Sequence, residues 1–555
     1  MAQDRKLQKL ELTWVGKYDE QQPLEPRILI ENPEYSYGEV ETGVLPNGKP
    51  WKGNMLIHGD NLLALKALEQ DYAGQVKCIY IDPPYNTGNA FEHYDDGVEH
   101  SIWLSLMRER LVLLHTLLAE NGVLMINLDE VEHAYCKILC DEIFGRQNFL
   151  GDLIWQKRKG GGNDSRFFAL AHDYILVFVK NSDKKIHSVQ WKVSQSEEYL
   201  KRYKEIDEDG NRYYWDTLAR DGLQNAIPVS VACPDGSILS INSQKSQDTI
   251  NTGLQNGMVR LTKSKNGWTL HHRVYMPKGQ VLRSILFDVG TNKSAGDEIK
   301  ELFGSTKAFD YPKPETLIKR VLELTTQEGD LVLDSFLGSG TTAAVAQKMG
   351  RRYIGVEMGN HAYTHCAVRL KMVVDGADQG GISKAQNWKG GGGFRFYELA
   401  PSLLKEDKFG NLVINKEYNA DMLAAAMAKQ EGFTYEPSAE HYWKQGYSHE
   451  SDYIYTTTQF MTVEGLAAIA EQMKEGESLL VCCTAFQKEC RSAFPNITIK
   501  KIPQMLLGRC EFAHDDYSLN IVELPVVEED EFEEEMEEVV EEAVSSTEET
   551  QQELF

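Results

Sequence analysis

The 555-residue sequence holds no run of about 18 apolar residues, the length needed to cross a hydrocarbon core, so a membrane span is not expected. Its opening residues, MAQDRKLQKLELTW, lack the apolar centre of a secretory signal. Nine cysteines fall at irregular spacings that match no zinc pattern, and Cys482 and Cys483 sit side by side in an apolar run. Buried free thiols are therefore expected, no metal site is, and a reducing cytoplasm fits. There is no internal repeat and no helicase or nuclease motif. From 523 to 555 there is no basic residue at all, against 15 acidic ones. A like-charged, aromatic-poor stretch of that kind is expected to be disordered.

What is present is uneven. Without the tail, the net charge rises from −26 to −11, and between 155 and 300 there are 22 Lys/Arg against 16 Asp/Glu. The whole-chain charge argues against a phosphate-rich partner, but the local value governs phosphate contacts, and locally the middle is basic. The length predicts two to four units, and 42% hydrophobic residues suffice for sizeable cores.

One stretch organises the rest: IYIDPPYNTG, at 79–88. The apolar run at 76–81 reads as a short buried strand. It stops at Asp82, before two prolines that cannot continue a strand ladder. One carboxylate and one aromatic ring, Tyr85, thus fall at the carboxyl end of a central strand, where open α/β sheets bind ligands. Pro83 and Pro84 lack N–H groups and stiffen the corner. A planar amine could donate to the Asp82 carboxylate and to the Pro83 carbonyl while the Tyr85 ring stacks on the base carrying it. The plain alternative is a Pro-rich turn that caps a strand.

The second anchor, DLVLDSFLGSGTT at 330–342, reads as strand, Gly-rich turn and helix, the helix running over 343–349. Its glycines allow close backbone approach, and the new helix N-terminus offers free N–H groups. A strand at 352–356 then ends at Glu357, an acid about 20 residues past the turn and suited to a ribose diol. The spacing fits neither a dinucleotide fingerprint nor a Walker A loop.

Together, DPPY and DSFLGSG resemble the catalytic tetrapeptide and cofactor loop of amino-group DNA methyltransferases that use S-adenosylmethionine. DPPY comes first here, which resembles the β class, permuted relative to the γ class. Within it, KLELTWVGK, LEPRILIENPEYSYG and LIHGDNLLALKAL look like the modification (Mod) subunits of type III restriction–modification systems. The resemblance covers roughly residues 7–400. It implies an α/β fold: a circularly permuted Rossmann-like methyltransferase sheet with an inserted target-recognition domain and a small C-terminal α/β domain. It implies a catalytic set of Asp82, Pro83, Pro84 and Tyr85. Asp334, Phe336, Gly338 and Gly340 would surround the methionine part of the cofactor, with Glu357 on the ribose and Asp82 and Thr341 also among the cofactor contacts. Asp60 would lie beside the cofactor's adenine, or simply cap a helix. Lys313 would meet the methionine carboxylate, or merely precede a Pro-started helix.

In chain order, the expected units are an N-terminal arm (1–50), a catalytic half (51–184), a target-recognition domain (185–285), a cofactor-binding half (286–398), a C-terminal docking domain (399–522) and the acidic tail (523–555). Within them, 86–100 reads as a polar loop placed to close over a base, 101–120 as a helix with Leu104, Met107, Leu111, Leu114 and Leu118 inward, 376–393 as a Gly-rich linker, and 394–397 as an edge strand. Lys157, Arg158 and Lys159, next to three glycines, suit a phosphate backbone or else form a solvated loop. The tail either only solubilises the protein or competes with DNA for the basic middle.

The activity implied is methylation of the adenine amine in duplex DNA, with the base flipped out of the stack. The rivals are the cytosine amine, which Asp rather than Ser at 82 disfavours, and a non-catalytic DNA-specificity subunit. The resemblance further implies a homodimer and a helicase–nuclease partner.

Overall fold

A computed structural model describes residues 11–19, 22–85, 96–160, 168–182, 191–193, 197–219, 224–265, 267–277 and 279–517. Most of the loop expected over the base (86–95) and the whole acidic tail (523–555) lie outside the described residues.

Eleven of the described strands form one sheet. In chain order, ten are β1 (Leu29–Glu31), β2 (Met55–His58), β3 (Val76–Ile81), β4 (Leu118–Leu128), β5 (Phe149–Gln156), β6 (His172–Val179), β7 (Ile285–Leu286), β8 (Leu331–Asp334), β9 (Arg352–Glu357) and β10 (Gly393–Leu399). In space they run β1-β10-β2-β9-β8-β3-β4-β6-β5-β7, and the short strand Tyr37–Gly38 adds to β10. From β10 to β4 all neighbours are parallel, whereas β6 is antiparallel to both β4 and β5. The sheet is covered on both faces, which is why its strands read as unbroken apolar runs. Alternate residues point opposite ways. Ile79, Ile81, Leu124 and Leu333 meet Trp103, Met107, Leu111 and Leu114 of α2 (Asp96–Leu117), beside α1 (Asn61–Tyr72) and α3 (His133–Cys140). Cys78, Tyr80, Val123 and Val332 meet Leu317, Ile318, Val321 and Leu322 on the other side. That layer holds α5 (Glu315–Thr325), α6 (Thr341–Lys348) and α7 (Val368–Val374); α4 (Asn292–Phe303) leads into it.

The chain leaves β8 for β9 on one side, and leaves β3 for β4 on the other. The direction of winding therefore reverses between β8 and β3, whose rungs are Val332↔Cys78 and Leu333↔Ile79. A crevice at the carboxyl ends of those two strands is the expected ligand position in such a sheet.

Several expectations are corrected. The helix expected over 101–120 runs from Asp96 to Leu117; Leu118 instead opens β4 by pairing with Val76. So 96–100 is helix rather than loop. The strand at 394–397 is not at the edge: β10 lies between β2 and β1, because the N-terminal arm supplies β1 as the true edge. That arm also puts Trp14 and Leu45 into the core. The 376–393 segment is no slack linker. Ile382 is buried and the Trp388 indole donates to the Val373 carbonyl at 2.8 Å.

The region after β6 abandons α/β order. Arg212–Thr217, Gly267–Tyr275 and Val259–Ser264 make an antiparallel sheet with Glu205–Ile206, backed by the hairpin Ile227–Ala232/Ile238–Ser243 and the helix Gln247–Gln255. Beyond β10, five strands form a second sheet whose last three, Asp452–Met461, Ser478–Phe486 and Ile497–Lys501, are parallel. Only a 3-10 turn, Lys488–Arg491, lies between the last two. This C-terminal unit rests on α1: the Lys429 ammonium donates to the Ala67 carbonyl at 2.6 Å and the Gln70 amide to the Phe433 carbonyl at 3.1 Å. All nine cysteines are buried and free. Among the described residues, no helix is long and apolar enough to cross a membrane.

Beneath the second motif lies a buried ionic cluster. Glu315 accepts from Lys348 at 2.8 and 2.9 Å and from Arg369 at 2.9 Å, and Lys348 also meets Asp378 at 2.7 Å. These side chains are at most 3% exposed. Glu315→Ala removes the carboxylate that Lys348 and Arg369 share, and uncompensated buried charge is costly. Urea unfolding should show a loss of about 3–5 kcal/mol, with the isosteric Glu315→Gln change costing less because its carbonyl still accepts.

Candidate active site

Asp82 follows the last residue of β3, so its side chain emerges where the strand ladder ends. Its Oδ1 accepts the Tyr85 hydroxyl at 2.8 Å and the Asn127 amide at 3.3 Å; its Oδ2 pairs with the Lys313 ammonium. Asn127, near the end of β4, also donates to the Tyr85 oxygen. Burial, and then the Asp82 charge, hold the Tyr85 phenol well above its ordinary pKa, so it stays a donor. The Trp103 indole on α2 donates to the Pro84 carbonyl at 2.7 Å and fixes the corner. Among the described residues, no donor reaches the Pro83 carbonyl. The Lys313 ammonium also lies 5.3 Å from the Tyr85 ring centre.

Across the crevice, β8 ends at Asp334. Its Oδ1 accepts the Phe336 N–H at 3.0 Å and holds the start of the Gly turn. Burial pushes its carboxyl up to about 7, against hydrogen bonds from Thr342 and Phe336 that pull it down. Gly338 and Gly340 have φ of +57° and +81°, which a side-chain-bearing residue rarely adopts. A Cβ on Gly338 would come within 3.3 Å of the Phe309 ring. The Glu357 carboxylate, at the end of β9, accepts the Gly338 N–H at 2.8 Å and the Gly359 N–H at 3.0 Å. It therefore braces the turn while facing the same space.

That space is one cavity of about 820 Å³, lined by Asp82, Pro83, Pro84, Tyr85, Lys313, Asp334, Phe336, Gly338, Thr341 and Glu357 together. The volume is in the range of small-molecule sites. Two stretches nearly 250 residues apart in sequence thus form one wall and its opposite.

Other expected residues sit differently. Asp60 does not line the cavity. Its Oδ1 caps α1 by accepting from Leu62 N–H at 2.8 Å and Leu63 N–H at 3.1 Å, and its Oδ2 accepts from Tyr517 N–H at 3.0 Å. The neighbouring Asn61 faces the cavity instead. Gly340 turns away from it, with Cys366 Cα 3.2 Å from where its Cβ would be, so its role is close packing of the turn on the following helical segment. Lys313 faces Asp82 in this structure. Lys157 is tied at 2.5 Å to Asp173, one rung away on β6, so it is not presented to a phosphate; Arg158 and Lys159 are exposed. Residues not anticipated are Asn127, Asp173, Asp129, Asn61, Arg110 and Phe309. Asn127 and Asp173 had a signal, as polar residues inside apolar strand runs.

A second surface lies on the antiparallel sheet of the middle region. Trp215 pairs with Arg273, and His271 with Arg260, so all four share one face. The Arg260 guanidinium stacks 4.1 Å over Trp215, and that of Arg273 lies 4.6 Å from Tyr213. The opposite face packs Val259 and Leu270 against the hairpin. Alternating guanidinium and aromatic groups are suited to phosphates and bases.

The model of the DNA methylase family matches residues 76–368. Among curated proteins, the chain is 35% identical over 407 residues to the probable type III restriction-modification enzyme HindVI Mod subunit of Haemophilus influenzae, covering 63% of this chain and 54% of that one. It is 30% identical over 370 residues to the type III restriction-modification enzyme StyLTI Mod subunit of Salmonella typhimurium, covering 60% and 55%. The type II methyltransferase M.KpnI of Klebsiella pneumoniae is 29% identical, covering 56% and 82%. The chain spans about half the length of the Mod subunits it matches.

The Asp334 carboxyl has a consequence for stability. Its pKa rises from 3.8 when unfolded to about 7 when folded, so folding favours the protonated form. That stabilisation is present in acid and is lost as pH rises through 7. Asp334→Asn keeps an oxygen for the Phe336 N–H and cannot ionise. Its melting temperature should exceed that of the wild type at pH 8, with the advantage growing from about pH 4 to pH 7 and levelling off above. A pH-independent difference in thermal unfolding would contradict this account.

Proposed function

The chain belongs to the DNA methylase family, and on that premise we propose that it transfers a methyl group from S-adenosylmethionine to the exocyclic amine of adenine in duplex DNA. We further propose that it does so as the modification subunit of a type III-like restriction–modification system. One observation carries the reading: Asp82-Pro83-Pro84-Tyr85 and the Gly turn face each other across a single cavity, with the Pro83 carbonyl open to a donor.

The residues fit that donor molecule. The backbone at Gly338 permits close approach, Glu357 keeps lone pairs beyond those its two amides use, and Phe309 and Phe336 give apolar walls. Lys313 is within reach of a carboxylate, and Asp334 of a cation. When bound, S-adenosylmethionine supplies an electrophilic methyl on a sulfonium. The protein's task is then to hold the acceptor amine in line. The amine would donate one hydrogen to Asp82 and one to the Pro83 carbonyl, which draws its lone pair out of conjugation with the ring. No base need act before attack; the displaced proton leaves by way of the Asp82 carboxylate. Flipping the target costs a few kcal/mol, and stacking on Tyr85 returns about 1–3 kcal/mol. The surface of Trp215, Arg260 and Arg273 would lie along the duplex. A homodimer, a helicase–nuclease partner and a cytoplasmic location belong to the same reading.

Three experiments test it. Asp82→Ala should reduce methylation of duplex DNA at least about 100-fold, the scale of a lost positioned proton acceptor, while calorimetric binding of S-adenosylmethionine persists. Nucleoside mass spectrometry should find N6-methyladenine; N4-methylcytosine instead would overturn the choice of base. For the surface, Arg260→Ala and Arg273→Ala should weaken DNA binding alike across sequences, and each should lower the slope of log affinity against log salt by about 1. An unchanged slope would place the duplex elsewhere.

A further inference from the structure

The segment 511–517, which leaves the C-terminal unit, returns to the wall of the cofactor cavity. It is pinned at one end by the N-terminal arm and the start of the C-terminal unit. Arg27 donates to Asp515 at 2.7 Å and to the His514 carbonyl at 2.8 Å; Ser402 accepts from Ala513 N–H at 2.8 Å; Glu511 N–H donates to the Pro23 carbonyl at 3.0 Å. At the other end, Tyr517 makes two main-chain contacts with the methyltransferase sheet's first helices. Its N–H donates to Asp60 at 3.0 Å, and its carbonyl accepts from Arg110 Nη2 at 3.1 Å.

Arg110 does not stop there. Its Nε donates to Asn61 Oδ1 at 2.5 Å, and Asn61 Nδ2 donates to the Ser335 carbonyl at 2.8 Å. Ser335 lies directly after Asp334, at the entry to the Gly turn. Arg110 is 3% exposed and Asn61 9%. An unbroken chain of hydrogen bonds therefore runs from Tyr517 through Arg110 and Asn61 to the cofactor loop. In a buried setting such a chain has few alternative partners, so loss of one link is felt at the next. Asn61 has its amide oriented by both neighbours: its oxygen must face Arg110 and its NH2 must face Ser335.

We propose that Tyr517 and Arg110 are positioning residues for the cofactor loop, so that docking of the 511–517 strap and binding of the methyl donor favour each other. The strap contributes to donor affinity without touching the donor. By linkage, whatever draws the C-terminal unit off the sheet weakens donor binding, and the bound donor holds the strap down. This rests on the reading of the cavity as the S-adenosylmethionine site.

The test uses the full chain. Tyr517→Pro removes the N–H that Asp60 receives. It should weaken S-adenosylmethionine binding, measured by calorimetry, by roughly tenfold, the scale of one charge-assisted hydrogen bond. KM for the donor should rise with kcat little changed. In hydrogen exchange, the amides at 336–340 should exchange faster while those of β4 and β6 do not. If Tyr517→Pro does not fold, Asp60→Asn serves: its oxygen keeps the α1 cap, and its NH2 cannot accept the Tyr517 N–H. Asn61→Ala combined with either should be non-additive in donor affinity, because the two act in one chain. Wild-type affinity together with wild-type exchange at 336–340, or full additivity, would overturn the inference. A wild-type protein that binds no S-adenosylmethionine would instead defeat the cofactor reading; faster exchange at 336–340 in the variant would still support the relay.

Discussion

Two rungs of parallel sheet, Cys78 with Val332 and Ile79 with Leu333, are what bring the two halves of the site together. Each strand is short, and each ends in a carboxylate-bearing turn. Their adjacency depends on side chains being right on both faces at once: Ile79 and Leu333 toward α2, Cys78 and Val332 toward α5. A slip of one residue would exchange those faces and move Asp82 relative to Asp334 by a full pleat. Register is therefore specified by burial on two sides, and the site inherits that specification.

The second motif needs more than its strand. A Gly turn with two left-handed residues is loose by nature, since glycine has no side chain to pack. Here it is held from below by charge. Arg369 joins Glu315 to Thr341, at 2.9 and 2.8 Å, and so ties the start of α5 to the start of α6. Lys348 closes the cluster from the end of α6, and Asp378 reaches it from the segment that follows α7. Taking four charges out of water is expensive, and apolar replacements of like size are often as stable. What the cluster supplies that apolar groups would not is direction, because each donor and acceptor accepts few geometries. Glu357 and Ser335 fasten the same turn from above and from the side.

Much of this was legible in the sequence. Strand and turn chemistry located Asp82, Tyr85, Gly338 and Glu357, because apolar runs that stop at Asp-Pro-Pro or at Asp-Ser-Phe-Leu-Gly have few structural readings. The errors share a cause: they concern which partner a side chain finds. For Asp60 the cap was one of two readings, and only the helix geometry decides that it caps while its neighbour Asn61 faces the cavity. Lys157 read as a phosphate contact because Asp173 is 16 residues away, yet the pairing that sets Trp155 opposite Asp173 brings the two side chains together at 2.5 Å. The strand at 394–397 read as an edge because its outer neighbour, Leu29–Glu31, comes from the far end of the chain. The cation–aromatic face of the middle sheet was invisible for the same reason: Trp215, Arg260 and Arg273 are scattered in sequence and united only by pairing register.

The charges around the cavity make it a place for a cation. Asp82 faces Lys313, and Asp173 faces Lys157, so two of the lysines there are balanced locally. Asp334 and Asp129 are not balanced that way. Burial pushes Asp334 up to about 7 and Asp129 up to about 6, so each ionises at a higher pH than an ordinary carboxyl. A positively charged ligand reverses the sense of that shift, since an opposite charge nearby favours the ionised carboxyl. Binding a cation would therefore release a proton from the Asp334 side of the cavity, and the site would gain affinity as pH rises through 7. On the proposed reading, the same charge would leave Asp82, on the far wall, to the acceptor. The two ligands would then be divided between the two motifs, an acidic wall for the charged donor and a carboxylate and carbonyl for the neutral amine.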